Sequence, residues 1–307
     1  MTPGIISGRS GNYSRRHFTT LMILASVLIG SAQDQRSIFR SESEAVPVPV
    51  SVRAIDKPVA GLKASDFELK DNGVVQSIES FSVETLPIDV TLLLDLSRSV
   101  EGPRLERLKA SVRETAVFLH ADDRDRLISM QHELHQVFPF QPGGSKPDVE
   151  SLNASGGTSL YDGLAAAMMR APEPGRRQLI VAYTDGQDTI SILPIDNLRE
   201  VAGLADAVVQ IVVPTTSGRR STGAEAVPGA ALLSDLATRT GGRLFWMDAA
   251  APIGEAFKNA IDEFRTSYVL SFTPQGVTRA GWHDLSVRVT SGNYEVRARK
   301  GYSGGAK

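Results

Sequence analysis

The chain has 307 residues, 41% of them hydrophobic, enough to bury one large core or two smaller ones and too apolar for a disordered or fibrous protein. Thirty-three basic against 35 acidic side chains give a formal charge of −2, which leaves no electrostatic footprint for nucleic acid or an anionic membrane surface. Cysteine is absent, which excludes disulfides, thiolate zinc sites, a cysteine nucleophile and a lipoprotein anchor.

Residues 1–32 have the anatomy of a signal peptide. The basic, polar GRSGNYSRRHF precedes FTTLMILASVLIG, an apolar run too short to span a bilayer comfortably, and Gly30 and Ala32 supply small residues for cleavage after Ala32. Ser14-Arg15-Arg16-His17-Phe18 is similar to the twin-arginine export motif, although Thr19 and Thr20 stand where that motif carries Leu and Lys. Ordinary secretion and an uncleaved anchor are the competing readings. The expectation is an extracytoplasmic protein, periplasmic or secreted, with no stable membrane span in the mature chain.

Residues 33–43 read as a linker. From 44 to 86, short alternating β-type runs are broken by Lys-Pro, Ala-Gly and Asn72-Gly73, a pattern of strands and turns. Pro47 and Pro49 cannot donate ladder hydrogen bonds and point their missing donors the same way, which predicts that the first strand lies at a sheet margin. From 87 to 265 the pattern becomes one of buried-looking strands alternating with helices. DVTLLLDL lacks period-two polarity, as expected of a strand covered on both faces. Leu105, Leu108, Val112, Ala116 and Leu119 recur at helical spacing after Pro103. Further strands are predicted at 126–131, 178–183, 207–213 and 243–247, and helices near 159–170, 196–206, 230–240 and 253–264. This order predicts an α/β fold with a doubly wound, mostly parallel sheet.

Residues 266–303 return to β-type sequence without intervening helices, and 304–307 form a tail. Neither flank is long enough for a stable sheet alone, so the strands of both chain ends are expected to pair into one small β-domain into which the α/β unit is inserted. The loop TTSGRRSTGAEAVPG is the one long stretch of low hydrophobicity inside the α/β region.

The chemistry centres on TLLLDLSRSV, residues 91–100, where an apolar strand ends on a carboxylate followed by alternating hydroxyls. In an extended turn, residues two apart point the same way, so Asp95, Ser97 and Ser99 present one carboxylate and two hydroxyls to a common point. SGGTSLYDG places Thr158 after two glycines at a helix start, and LIVAYTDGQD ends another strand with Asp185 just before Gly186. If both strand ends share a sheet edge, Asp95, Ser97, Ser99, Thr158 and Asp185 converge as an oxygen cluster for a hard cation, Mg²⁺ or Mn²⁺, with room for an incoming ligand oxygen. Each residue alone also suits a blander role: Thr158 as a helix cap, Asp185 as a turn former, Ser97 and Ser99 as loop hydroxyls.

Together these residues resemble the von Willebrand factor A (vWA) domain, whose metal-ion-dependent adhesion site, or MIDAS, has Asp-x-Ser-x-Ser, then a Thr, then an Asp. All five positions match. The resemblance covers about residues 88–264, and the flanks, with GLKASDFELKDNG before it and SYVLSFTP and VRARKGY after it, look like a bacterial exported family related to this domain. The resemblance implies a Rossmann-like doubly wound fold, metal-dependent binding of a partner protein presenting Asp or Glu, and no catalytic role. The alternative is a metal-independent scaffold whose MIDAS is silent. Arg98, Gly157, Gly186 and His132 would rim the site. Arg98 departs from the small residue common between the two serines: turned inward it would repel a cation, whereas turned outward, as alternation favours, it can meet an acidic ligand.

Other constellations are weaker. His132-Glu133-Leu134-His135 lacks the two-residue gap that puts both histidines of a metalloprotease motif on one helix face, and reads as a hairpin turn. A haloacid-dehalogenase-type phosphatase needs a second carboxylate at position 97, which is Ser, and a serine hydrolase needs a Gly-x-Ser-x-Gly turn that is absent. Met168 and Met169 read as core packing.

Overall fold

The computed structural model describes residues 45–55, 57–83, 86–215 and 229–305. The signal-peptide reading and most of the polar loop after residue 215 fall outside them. The described residues all belong to one compact unit.

The first flank supplies β1 (Val46–Ala54), β2 (Lys57–Pro58), β3 (Phe67–Asp71), β4 (Val74–Gln76) and β5 (Ser80–Val83). The α/β segment runs β6 (Ile88–Asp95), α1 (Pro103–Phe118), β7 (Arg124–Met130), β8 (Leu134–Pro142), α2 (Leu160–Met168), β9 (Arg177–Tyr183), α3 (Ile195–Leu204), β10 (Val208–Thr215), α4 (Ala230–Arg239), β11 (Leu244–Asp248) and α5 (Ile253–Arg265). The second flank adds β12 (Tyr268–Phe272), β13 (Gly281–Val289), β14 (Glu295–Ala298) and β15 (Gly301–Gly304).

All eight residues of β6 are buried, because helices cover both faces of its sheet. Leu92, Leu94 and Leu96 face Leu108 and Val112 of α1 and Phe257 and Ile261 of α5. Leu93 faces the other way, toward Leu164 of α2, Leu198 of α3 and Leu233 of α4. Each fully buried leucine contributes about 2 kcal/mol, so this strand is pinned in register from both sides. The sheet order is β11-β10-β9-β6-β7-β8, parallel except for β8, which returns antiparallel to β7 through a tight hairpin. The strand order therefore reverses beside β6: β7 lies on one side and β9 on the other. The crevice outside the carboxyl ends of β6 and β9 is the switch point at which such sheets bind ligands.

Strands from the two flanks pair with each other in two further sheets, β14-β1-β12-β5 with β2 on β1, and β15-β13-β3-β4. Val48 and Val50 of β1, Leu69 of β3, and Tyr268, Leu270 and Phe272 of β12 fill the core between them. Asn72 and Gly73 take positive φ, 47° and 81°, in the two-residue turn joining β3 to β4, where an Asn-Gly pair is favoured. The marginal position expected for the first strand is corrected: β1 lies between β12 and β14. β14 pairs only with Val50–Arg53, so Pro47 and Pro49 lie beyond its end, where among the described residues no strand requires their missing N–H groups. A second correction concerns the methionine pair: Met168 is buried, while Met169, at the end of α2, is 74% exposed.

Candidate functional site

The loop after β6 is built to hold Asp95 still. Leu96 N–H donates to Met130 O at 3.0 Å, extending the β6–β7 ladder by one residue, and Ser97 N–H donates to Asp95 Oδ1 at 3.0 Å. A 3₁₀ turn follows at Arg98–Val100, anchored by buried Val100. Two backbone bonds, from Ser155 N–H to Leu96 O at 2.9 Å and from Arg98 N–H to Gly156 O at 3.2 Å, tie this loop to the one that carries Thr158.

The Thr158 loop is in turn clamped to the loop after β9. Thr158 N–H donates to Thr189 Oγ1 at 2.7 Å, and the N–H groups of Thr189 and Ile190 return to Thr158 O. A Cβ on Gly157 would lie 2.7 Å from Thr189 Oγ1, so this close approach requires glycine. Gly186 has φ of +88°, which a side chain would strain. Thr158 is not the helix cap: Ser159 occupies that position and makes no capping bond, and Asp188 Oδ1 from the neighbouring loop accepts Leu160 N–H at 2.9 Å and Tyr161 N–H at 3.3 Å.

These clamps bring all five expected oxygen-bearing side chains together. Thr158 Oγ1 lies 3.3 Å and 3.5 Å from the two Asp95 oxygens, Ser97 Oγ lies 3.1 Å from Ser99 Oγ, and Ser99 Oγ donates to Asp185 Oδ2 at 3.1 Å. Asp185 also forms the turn expected of it, since Oδ1 accepts Gln187 N–H at 3.1 Å. Asp95, at 1% exposure, Ser97 and Thr158 form a buried floor, while Ser99 is exposed and Asp185 half-buried. The Asp95 carboxyl is held above the usual carboxylate range, first by burial and further by the nearby charge of Asp185, against the hydrogen bonds of Ser97 and Thr184.

The rim residues are placed as follows. Arg98 is exposed, the outward of its two expected poses. A second cation, Arg104, donates from Nη1 to Ser99 O at 3.2 Å. His132 is exposed in the β7–β8 hairpin, and its Cβ is 3.4 Å from where a Cβ on Gly156 would stand, so it borders the Thr158 loop. His135 Nε2 lies 3.6 Å from Glu133, an exposed pair in the same hairpin. Among the described residues no group of three or more His, Cys, Asp or Glu side chains is placed to hold a metal; the constellation at Asp95 has two carboxylates and three hydroxyls.

Thr184 is a site residue that the motif reading did not single out. It is fully buried, donates from Oγ1 to Asp95 Oδ2 at 3.1 Å and accepts Gly186 N–H at 3.1 Å. Its signal was in the alternation of LIVAYT: Tyr183 packs on Phe257 of α5, so the next side chain must face the other way. Asp188 and Thr189 carried no local signal, since their partners are about 30 residues away.

No protein-family model matches the chain. It is 22% identical over 153 residues, 45% of its length, to inter-alpha-trypsin inhibitor heavy chain H2 of Sus scrofa. It is 30% identical over 109 residues, 34% of its length, to uncharacterized protein sll0103 of Synechocystis sp.. The matches span only 16% and 26% of those two proteins. Among solved structures, it is similar to a von Willebrand factor type A protein from Catenulispora acidiphila, at 12% identity, covering 85% of this chain and 75% of that one with a TM-score of 0.48. By its own strand order, its helices on both sheet faces and the five-residue constellation at the switch point, the α/β part of this chain is vWA-like.

Proposed function

We propose that this chain is an exported protein-binding module that holds Mg²⁺ or Mn²⁺ and through it ligates an Asp or Glu of a partner protein. The observation that carries the reading is the hydrogen-bonded convergence of Asp95, Ser97, Ser99, Thr158 and Asp185 from three loops. The donor set fits a hard cation: it is all oxygen, and the buried Asp95 carboxyl, pushed up by desolvation and a neighbouring carboxylate, is one that a cation would return to its charged form. Asp95, Ser97, Ser99, Thr158 and Asp185 would hold the ion, and when bound it supplies an electrophilic centre for a carboxylate.

The chain's own groups do the rest. Thr184 and the Ser97 N–H fix the Asp95 carboxylate. Gly157 lets the Thr158 loop approach the loop after β9, and Gly186 takes the positive φ that its turn needs. Exposed Arg98 offers a guanidinium to the incoming acidic residue. Export rests on residues 1–32, and among the described residues no helix is long and apolar enough to cross a membrane.

Calorimetric titration of chelator-stripped protein with Mg²⁺ and Mn²⁺, beside Asp95→Ala, tests this reading. Saturable one-site binding that is lost in the variant supports it. Absence of binding in both proteins sinks it and moves the metal-independent scaffold ahead.

A further inference from the structure

We infer that the cavity at the amino ends of β9 and β10 binds a small organic anion, an aromatic or branched carboxylate, with the Arg299 guanidinium as its anchor. The cavity measures about 250 Å³. An apolar cavity of ~150 Å³ takes up benzene, so a ring, its carboxylate and a water or two fit here. It opens between the six-stranded sheet and the flanking strands, at the opposite ends of the parallel strands from Asp95, and is independent of the site there. Leu86, Phe264 and Val269 give it an apolar wall, Arg176 and Arg299 bring guanidiniums to it, and among the described lining residues Asp206 is the one carboxylate.

Arg299 is 7% exposed. Its Nε donates to Gly301 O at 2.8 Å and its Nη2 to Gly203 O at 3.1 Å, both neutral carbonyls. Among the described residues no carboxylate hydrogen-bonds to it, and Asp206 acts on it only at longer range. A guanidinium desolvated beside neutral acceptors keeps a large part of its burial cost, and burial pushes its pKa down. An anion in the cavity supplies the missing countercharge. The apolar wall favours one with a hydrophobic body over inorganic phosphate. Arg176 belongs to a cluster in which three guanidiniums, those of Arg124, Arg170 and Arg176, share the two carboxylates of Asp89 and Glu173, so this side of the cavity keeps a net positive charge. Pro47 and Pro49 border the same cavity without N–H donors, so an added β-strand is disfavoured along this half of β1 and the space suits a small ligand.

Calorimetric titration of the full chain with sodium benzoate tests the inference, with benzyl alcohol as the uncharged comparator and inorganic phosphate as the anion without an apolar body. Benzoate is expected to bind one to one, about tenfold or more tighter than either comparator. Asp206→Asn removes the exposed carboxylate at the cavity and is expected to tighten benzoate about threefold. Val269→Phe fills the apolar wall and is expected to weaken it about tenfold or more. If Val269→Phe does not fold, the exposed Asp206→Asn variant decides. No saturable benzoate binding up to about 10 mM, equal binding of benzyl alcohol, or an unchanged affinity in Asp206→Asn overturns the inference.

Discussion

Asp95 and Asp125 are both buried carboxylates, and the difference between them separates a site from a structural liability. Asp95 accepts bonds from Ser97 N–H, Thr158 and Thr184, so its position is fixed by three loops. Thr184→Val removes one of these while keeping the shape, and is expected to weaken Mn²⁺ binding about tenfold with little change in melting temperature, read by calorimetry and thermal melts. Arg98→Gly is expected to leave Mn²⁺ affinity within about twofold, because the side chain faces solvent, and to weaken capture of an acidic peptide. Asp125 is fully buried opposite Gln141 across the β7–β8 ladder, and neither group reaches hydrogen-bond geometry. Burial raises its pKa from 3.8 to about 6, only partly offset by the nearby Gln141 amide. The folded state thus holds this proton more tightly than the unfolded chain. The stability it confers is full below about pH 4 and is lost as pH rises through about 6. Asp125→Asn is expected to gain about 2 kcal/mol at pH 8 and almost nothing at pH 4, measured by urea unfolding at both values. The five oxygen-bearing residues were legible in the sequence because strand alternation and glycine turns are local signals. Thr184 needed to be read against the opposite sheet face, and Asp188 and Thr189 could not be read at all, since what they hold is distant in sequence.

At the scale of elements, periodicity carried most of the fold, and partnership between distant elements carried the remainder. The helices near 103, 160, 195, 230 and 253 announced themselves by apolar spacing, and α1 begins at Pro103, where proline costs a helix least. What periodicity does not encode is which strand lies beside which, so β1 was misplaced at a margin although its two prolines do sit on its half-open stretch. α5 shows how such distant partnerships are made. Its Glu263, 2% exposed, binds Arg243 just before β11 at 2.7 Å and Arg53 of β1 at 2.6 Å, joining helix, parallel sheet and flank through one carboxylate. Glu263→Gln leaves two guanidiniums facing an uncharged amide, and is expected to cost about 3 kcal/mol in denaturant unfolding. Gly203 of α3 is a second joint: a Cβ there would meet the Trp282 ring of β13 at 2.7 Å, so no larger residue fits without displacing that ring.

For the whole molecule, the pairing of both chain ends means that the vWA-like segment is held by strands it does not contain. Residues 87–265 include all five oxygen-bearing side chains but lack Arg53 opposite Glu263, Ser267 opposite Arg177 and Arg299 opposite Gly203. Expressed alone, this segment is expected to keep its Mn²⁺ affinity within about threefold and to melt about 10 °C lower than the full chain, measured by calorimetry on both. Function and stability would then divide along the chain, the first residing in loops at the carboxyl ends of β6 and β9, the second shared with the flanks. The central claim, that these loops hold a divalent cation, is tested most directly by anomalous diffraction from crystals of the protein grown with Mn²⁺. One strong anomalous peak is expected, bounded by Asp95, Ser97, Ser99, Thr158 and Asp185 and absent from crystals of Asp95→Ala. A map at saturating Mn²⁺ with no peak among those five side chains would contradict it.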